Sequence, residues 1–177
     1  MKVLKSLAAA AAMVALSGTA QAALVSLGNG TVRDTNTNLI WLQNWNVNGP
    51  ANWGEQKTWA ETTLDGFAGS NDWRLPEISE YGALFTAYGD LSQVTQFMNV
   101  QRNDPYWSGT ESLPGVLAWS FFPGIGLQLD SGDQGFQLFA VAVRPGDVAA
   151  SVPEPQTLAL ALLALGAMVV ARRRRPV

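Results

Sequence analysis

The sequence predicts an α+β domain in which two helices pack on a strongly curved antiparallel sheet. An early pair of strand patterns, two segments with helical spacing of apolar residues and a late run of strand patterns together predict this architecture. Strands and helices that occupy separate stretches of one chain are typical of the class. The domain is predicted to occupy residues 23–147, a length that suits one domain and not two.

The first two strands are predicted to form a hairpin. The segments "TVRD" and "LIWLQN" flank residues 35–38, whose Thr-Asn-Thr-Asn sequence is polar. Asparagine and threonine favour turns because their side chains bond to nearby backbone groups. The chain is therefore expected to reverse direction at this tetrad.

Two helices are expected after the hairpin. In "EQKTWAETTLDGF", Trp59, Thr63, Leu64 and Phe67 recur at spacings of three and four residues, which indicates one face of a helix. In "PEISEYGALFTAYGD", Pro76 can open a second helix with an apolar stripe. A further short helix is predicted at "LSQVTQFM".

Strand patterns resume after Pro105. In one of them Ile125, Leu127 and Leu129 alternate with small or polar residues, which is the period of a strand with one buried face. The predicted strands are "YWSGT", "VLAWSFF", "IGLQLD" and "FQLFAVAVR".

The first 22 residues have the features of a secretory signal peptide. Lys2 and Lys5 precede an apolar stretch at residues 7–16, and small residues follow up to an A-x-A motif at Ala20 and Ala22. This order of charged, apolar and small residues is recognised by the export machinery. Signal peptidase is predicted to cut after Ala22, and the protein is expected to leave the cytoplasm.

The exported part of the chain is strongly acidic. The whole chain has a formal net charge of −3, but residues 23–151 hold five basic residues against thirteen acidic ones, a net charge of −8. Such a domain is repelled by phosphate backbones, so nucleic acid is excluded as a partner. The chain has no cysteine, so packing alone must stabilise the domain.

The C-terminal segment is predicted to insert into the inner membrane, at least temporarily. A linker at residues 148–156 leads to an uncharged apolar helix at residues 157–171 and an arginine-rich tail at residues 172–177. Fifteen helical residues span roughly 22 Å, which is short of the roughly 30 Å hydrocarbon core of a bilayer. The arginines should stay cytoplasmic, which leaves the domain outside. The run suits a temporary stop at the inner membrane, and a plain single-span anchor is the alternative.

In this C-terminal segment the residues Val152-Pro153-Glu154-Pro155 are followed by a short apolar helix and a terminal arginine cluster. This order resembles the PEP-CTERM sorting signal of Gram-negative bacteria. The resemblance implies recognition by an exosortase, a membrane-embedded cysteine protease that acts near the Pro-Glu-Pro motif. It also implies release or transfer to the cell surface or extracellular matrix, often in species that make exopolysaccharide. The matching residues are Val152, Pro153, Glu154, Pro155, Arg172, Arg173, Arg174 and Arg175.

Several segments between about Gly30 and Gly146 carry a second resemblance, among them "GTVRDTNTNLIWLQNWN", "NDWRLPEISEYGALF", "YWSGTE" and "AVAVRPG". With these segments the domain resembles the DUF1566 family, whose fold is related to C-type lectins and formylglycine-generating enzymes. The resemblance implies a C-type-lectin-like fold. The residues of its strongest motif are Asp72, Trp73, Arg74, Leu75, Pro76 and, in the helix that follows, Glu80.

Two interpretations of this motif stay open. Asn71 and Asp72 carry oxygen ligands of the kind that Ca²⁺ prefers, so calcium is the one cofactor considered. C-type lectins use a Trp-Asn-Asp triplet for that purpose, whereas this chain has the order Asn-Asp-Trp. The structural alternative is favoured: Trp73 and Leu75 fill the core, and Arg74 pairs with a carboxylate such as that of Glu77 or Glu80.

Tryptophans near asparagines suggest a sugar site. In "WLQNWNVNGPANW", Trp45 and Trp53 flank a loop that is rich in amide side chains. Sugars stack on exposed aromatic faces while amides bond to their hydroxyl groups. Trp45 and Trp53 are therefore the candidates for ligand contact, whereas Trp41 is predicted to be core.

Catalysis is not expected. The chain has no histidine and no cysteine, which removes the commonest general base and the thiol nucleophile. The leading expectation is a non-enzymatic surface or matrix module that binds polysaccharide. A purely structural surface protein is the alternative, and a carboxylate-based glycosidase is the third possibility.

Overall fold

The computed structural model describes residues 23–146, nearly the whole predicted domain. The predicted signal peptide with Ala20 and Ala22, the linker, the hydrophobic sorting helix and the arginine tail lie outside the described residues. Within residues 23–146, no helix has the length and apolar character needed to cross a membrane.

The described residues form seven β-strands and two α-helices, which confirms the α+β class. The strands are β1 (Leu24–Ser26), β2 (Thr31–Asp34), β3 (Leu39–Leu42), β4 (Tyr106–Leu113), β5 (Leu117–Phe122), β6 (Leu127–Asp133) and β7 (Val143–Pro145). The α-helices are α1 (Trp53–Thr58) and α2 (Ile78–Tyr88).

The strands form two antiparallel sheets, so the prediction of one curved sheet is wrong. One sheet has the order β1-β2-β3-β7 and the other has the order β4-β5-β6. The predicted strand "FQLFAVAVR" crosses between them and pairs regularly only as β7. Its earlier residues make isolated bridges, Leu138 with Ala51 and Phe139 with Tyr106. Because Tyr106 belongs to β4 and β7 pairs with β3, the segment links the two sheets instead of extending one.

The predicted hairpin is confirmed in β2 and β3. Its turn is held by the buried Asp34 carboxylate, which accepts hydrogen bonds from the Asn36 amide at 2.9 Å and the Thr37 hydroxyl at 2.7 Å. Asn38 completes the reversal with a left-handed backbone, φ 56°. Asparagine tolerates this conformation better than most residues, so the polar tetrad encodes the turn directly.

The first predicted helix is present but changes character halfway. Asn52 and Glu55 form a capping box at the start of α1: the Asn52 side chain accepts from the Glu55 amide, and the Glu55 carboxylate accepts from the Asn52 amide. After α1 the chain continues as a π-helical turn at Trp59–Thr63. A 3₁₀ turn at Phe67–Gly69 follows, so the helix ends before the predicted Phe67.

The second predicted helix matches α2 closely. Glu77 is the N-cap, and Glu80 completes a capping box. Pro76 lies immediately before the cap, and Gly89 ends the helix with φ 71°. The predicted short helix at "LSQVTQFM" is reduced to one 3₁₀ turn, Leu91–Gln93.

Aromatic rings dominate the core between the helices and the sheets. Tyr81 of α2 stacks on Phe121 of β5, with ring centroids 4.7 Å apart and an interplanar angle of 12°. Trp41 stacks on Trp45 at 6.0 Å and 12°. Large buried rings contribute most of the apolar area that a small domain removes from water, which suits a domain with no disulfide.

Candidate functional site

Trp45 lies at the centre of the core, so it cannot stack on a sugar as predicted. Its exposed fraction is 0%, and its ring contacts those of Trp41, Tyr81, Phe97 and Tyr106 at centroid distances of 5.0–6.1 Å. The surrounding sequence is polar, but Trp45 lies three residues after the end of β3 and is enclosed by four aromatic rings. Tertiary packing therefore overrides the local pattern.

Trp53 is also buried, with only 7% of its surface exposed. Its indole N–H donates to the Ser108 carbonyl of β4 at 2.8 Å, which fixes α1 against the sheet. The ammonium of Lys57 lies 5.1 Å from the centroid of the Trp53 ring. The expectation of an exposed stacking face is therefore wrong for both predicted tryptophans.

The Asp72-to-Glu80 motif has the structural role that the sequence favoured. Trp73 and Leu75 are each 2% exposed and belong to the core. The Arg74 guanidinium binds Glu80 through two hydrogen bonds, 2.8 Å from Nη1 to Oε2 and 2.7 Å from Nη2 to Oε1. The bond to Glu80 raises the pKa of Arg74 above its already high value, although partial burial opposes the rise. The motif thus joins the segment before α2 to the helix itself.

Asn71 and Asp72 are both exposed on the turn that precedes this motif. The Asn71 side-chain oxygen accepts a hydrogen bond from the Gly66 amide at 2.8 Å. In the part of the chain that the structure describes, no group of three or more histidine, cysteine, aspartate or glutamate residues could hold a metal ion. Calcium at this turn therefore stays a prediction without a cluster of carboxylates to support it.

An open cleft of about 620 Å³ lies beside α1 and the loop that precedes it. Asn48 and Asn52 come from the loop, and Glu55 and Thr58 come from the helix. Its lining residues are Asn48, Asn52, Gly54, Glu55, Thr58, Trp59 and Thr63. The amide-rich loop singled out in the sequence therefore does line a cleft, but with Trp59 in place of Trp45 and Trp53.

A buried side chain of α1 ties the loop to the helix beside the cleft. Gln56 is fully buried, and its Nε2 donates to the carbonyls of Gly49 at 2.8 Å and Leu138 at 2.9 Å. Its Oε1 accepts from Asn48 Nδ2 at 3.1 Å. These three bonds satisfy the buried amide and hold the loop against the helix. Asn48 is therefore positioned before any ligand arrives.

The chemistry of the cleft suits polyhydroxylated ligands. Amides and hydroxyl groups both donate and accept hydrogen bonds, and the Glu55 carboxylate accepts them. Trp59 is 6% exposed, so it supplies an apolar edge and not an open stacking face. Glu55 is the one carboxylate among the residues that line the cleft.

Sequence inspection did not single out Asn48, Thr58 or Trp59 as site residues, and it placed Trp59 on the core face of a helix. The capping box was the signal that could have found the cleft. A pattern of Asn52 followed three residues later by Glu55 fixes the start of the helix. From that start, residues at spacings of three and four from Glu55 share its face.

A second open cleft of about 400 Å³ lies near the beginning of the domain. Beside it, the Tyr88 hydroxyl donates to the buried Asp34 carboxylate at 2.8 Å. Its lining residues are Ala23, Leu24, Tyr88, Gln93, Val94, Thr95 and Gln96. It lacks the helix-backed amides of the first cleft, which is therefore the stronger candidate.

Two family models match separate segments of the chain. A model of the PEP-CTERM protein-sorting motif matches residues 151–175, which confirms the predicted sorting signal. The chain is therefore an exported protein of a Gram-negative bacterium, and it carries a signal for processing by an exosortase. The predicted sorting residues themselves lie outside the described residues.

A second family model matches the folded domain. No curated protein matches the chain. The model of the Lcl C-terminal domain matches residues 30–144 and confirms the DUF1566-like resemblance. Because this match covers more than half of the chain, the chain belongs to the Lcl C-terminal domain family.

Proposed function

We propose that the exported domain is a non-enzymatic binding module for an extracellular polysaccharide, with the cleft beside α1 as its site. The observation that carries this proposal is the lining of the cleft. Two asparagines, two threonines and one glutamate surround the edge of Trp59. The proposal no longer includes stacking on Trp45 and Trp53, because both side chains are buried.

The shape of the cleft supports a polymeric ligand. An open cleft admits the middle of a long chain, whereas an enclosed pocket admits only a small molecule or a chain end. Little aromatic surface is exposed in it, so each site should bind weakly through directional hydrogen bonds. Repeated sites along one polymer, or several copies of the domain on one surface, would raise the overall affinity.

The predicted route of export fits this function. Signal peptidase would release the N-terminus after Ala22, and the C-terminal segment would hold an inner-membrane intermediate until exosortase acts. The domain would then reach the cell surface or the extracellular matrix, where exopolysaccharide and biofilm are present. The proposal includes the C-type-lectin-like fold that the DUF1566 resemblance implies. The sheet that joins β3 near the start of the domain to β7 at its end is compatible with that fold.

Glycoside hydrolysis is the enzymatic alternative, and the cleft gives it little support. The usual mechanism requires two carboxyl groups on opposite sides of the scissile bond. Glu55 is the one carboxylate among the residues that line the cleft, and it already accepts a hydrogen bond from the Asn52 backbone amide at 3.2 Å. Release of reducing sugar from a bound polysaccharide, abolished in Glu55→Gln, would establish the enzyme instead.

A structural surface protein is the non-binding alternative, and one observation favours it. Several large apolar side chains are exposed on or beside the three-stranded sheet: Leu113, Val116, Ile125, Leu127, Leu129 and Phe136. Apolar surface of this kind is found where proteins associate. Assembly of the purified domain that depends on its concentration, with no retention on any polysaccharide, would favour this role.

A polysaccharide-retention screen on residues 23–151 tests the proposal. Thr58→Val and Thr63→Val each remove one hydroxyl group from the cleft wall with almost no change of shape. Both variants should lower retention at least twofold, since each removes one hydrogen-bonding group of about 0.5–1.5 kcal/mol. Asn103→Ala, on an exposed turn outside the cleft, is the control and should bind like the unaltered domain. No retention on any polymer would overturn the proposal.

A further inference from the structure

We propose that Glu55 makes the cleft select uncharged polysaccharide over anionic polysaccharide. This inference rests on the proposed function and adds the class of polymer and the residue that discriminates. Polysaccharides outside cells differ above all in whether their sugars carry carboxylate or sulfate groups. The charge of the cleft therefore matters for which of them can enter.

The first step is the charge of the cleft itself. Of the seven residues that line it, Glu55 is the one with a formal charge. Glu55 lines the cleft and is exposed to solvent, so a polymer bound there would meet its carboxylate. Two like charges about 4 Å apart in water repel each other enough to weaken binding by about fivefold. An anionic sugar at this position therefore meets repulsion that a neutral sugar does not.

The second step is the placement of Lys57, the basic residue nearest to Glu55 along the chain. Lys57 lies on the same helix, but it is not among the lining residues. Its ammonium lies over the ring of Trp53, 5.1 Å from the centroid. Two residues after Glu55 along a helix, Lys57 points about 200° around the axis from it. The basic side chain therefore does not neutralise the cleft.

The third step is the anchoring of the carboxylate. Glu55 Oε2 accepts a hydrogen bond from the Asn52 backbone N–H at 3.2 Å, and Asn52 Oδ1 accepts one from the Glu55 backbone N–H at 2.9 Å. This capping box holds the Glu55 side chain along the cleft wall instead of leaving it free to swing into solvent. A fixed charge discriminates between ligands better than a mobile one, because the ligand cannot displace it at low cost.

The same geometry supplies a clean variant. Glutamine at N3 also completes a capping box, so Glu55→Gln removes the charge and keeps the acceptor. Glu111→Gln is the matched control: its carboxylate also accepts from a backbone amide, that of Gly115 at 2.7 Å, and lies on β4 outside the cleft. Both variants change the net charge of the domain equally, so a difference between them reports the position of the charge.

The experiment measures retention of residues 23–151 on dextran and galactomannan, each beside its carboxymethylated form. At low salt we expect the carboxymethylated polymer to bind about fivefold more weakly than its neutral parent. The ratio should shrink at least twofold in Glu55→Gln and stay unchanged in Glu111→Gln. Added salt should lower the ratio of neutral to carboxymethylated binding in the unaltered domain, because salt screens the repulsion.

Three results would overturn the inference, and they differ in what else they overturn. Equal binding of neutral and carboxymethylated polymers contradicts charge selection and leaves the polysaccharide-binding proposal intact. An unchanged ratio in Glu55→Gln, or an equal change in Glu111→Gln, assigns the selection to the overall charge of the domain and not to Glu55. Failure of every neutral and charged polymer to bind overturns both the inference and the proposed function.

Discussion

Arg74 and Glu80 form a paired, two-bond contact that joins the segment before α2 to the first turn of that helix. The distances are 2.8 Å and 2.7 Å. The Glu80 carboxylate also accepts from the Glu77 amide at 2.7 Å, which completes the capping box. One side chain therefore orients an arginine and caps a helix at the same time.

Glu80→Ala should destabilise the domain by about 2 kcal/mol. The change removes the acceptor of two charged hydrogen bonds and of one capping bond, in a pair that is partly exposed and therefore partly screened. Urea unfolding measured by tryptophan fluorescence gives the free energy of unfolding. Arg74→Lys keeps the charge but loses the planar fork, so it should cost less than Glu80→Ala. An Arg74→Lys variant as stable as the unaltered domain would show that the two-bond geometry contributes nothing.

Gly126→Ala should be more damaging than Gly28→Ala, although both glycines have positive φ. Gly126 has φ 71°, and an added Cβ would lie 2.5 Å from Phe85 Cε1. Gly28 has φ 76° and no heavy atom within 4 Å of that position. We expect about 1 kcal/mol for Gly28→Ala, from the backbone alone. Gly126→Ala should cost about 1–3 kcal/mol more because Phe85 must move.

The comparison of their melting temperatures checks this pair of variants directly. Because Phe85 packs edge-on against Phe121 at 6.2 Å, its displacement should spread into the aromatic core. Equal melting temperatures for the two variants would contradict the close approach of Gly126 to α2.

All three tyrosines should resist ionisation in the folded protein. Burial raises the pKa of Tyr106 to about 12 and raises the pKa of Tyr81 well above its ordinary value. Burial also raises the pKa of Tyr88, and its hydrogen bond to Asp34 adds to the rise. Tyrosine in an unfolded chain has a pKa of about 10.

The neutral phenols therefore stabilise the fold fully below pH 10, and this stabilisation falls as the pH rises from about 10 toward 12. Alkaline titration, followed by tyrosinate absorbance and circular dichroism together, checks the sign. Absorbance and unfolding should change together. Tyrosinate that forms near pH 10 while the circular dichroism stays native would contradict the burial of these rings.

The sorting motif predicts a shortened mature protein. Material recovered from the native cell surface or medium should begin at Ala23 and end near residues 152–155, because exosortase is expected to act near Pro-Glu-Pro. Intact mass spectrometry measures both ends, and an added mass at the C-terminus would indicate covalent attachment. A mass that retains Arg172 to Arg175 would show that the segment is a permanent anchor.

Local sequence patterns predicted the parts of the fold that local chemistry determines. The hairpin turn at residues 35–38 and the start of α2 depend on side chains within a few residues of the backbone groups they bind. An ion pair of Arg74 with a nearby carboxylate was also predicted, with Glu77 and Glu80 as the candidates, and Glu80 is the partner. The division into two sheets was not predictable in this way. It depends on isolated pairings such as that of Tyr106 with Phe139, which are distant in the chain.

The candidate site shows the same limit. The loop that contains Asn48 and Asn52 was located correctly, because its polar composition indicates exposure. The direction of the tryptophans was not, since Trp45 enters the core and the Trp53 N–H bonds to Ser108, 55 residues away. Whether a tryptophan beside asparagines lies inside or outside depends on partners that no local pattern contains.

The most direct test of polysaccharide binding at the α1 cleft is an NMR titration of residues 23–151. The ligand is a soluble neutral polysaccharide that retains the domain in the screen. The chemical shifts of the backbone amides are followed as the polysaccharide concentration rises. Binding at the cleft should move the amides of residues 48–63 and leave those of β6 and of the turn at Asn71 and Asp72 unchanged. Shifts confined to those other surfaces, or no shift at saturating polymer, would contradict the account.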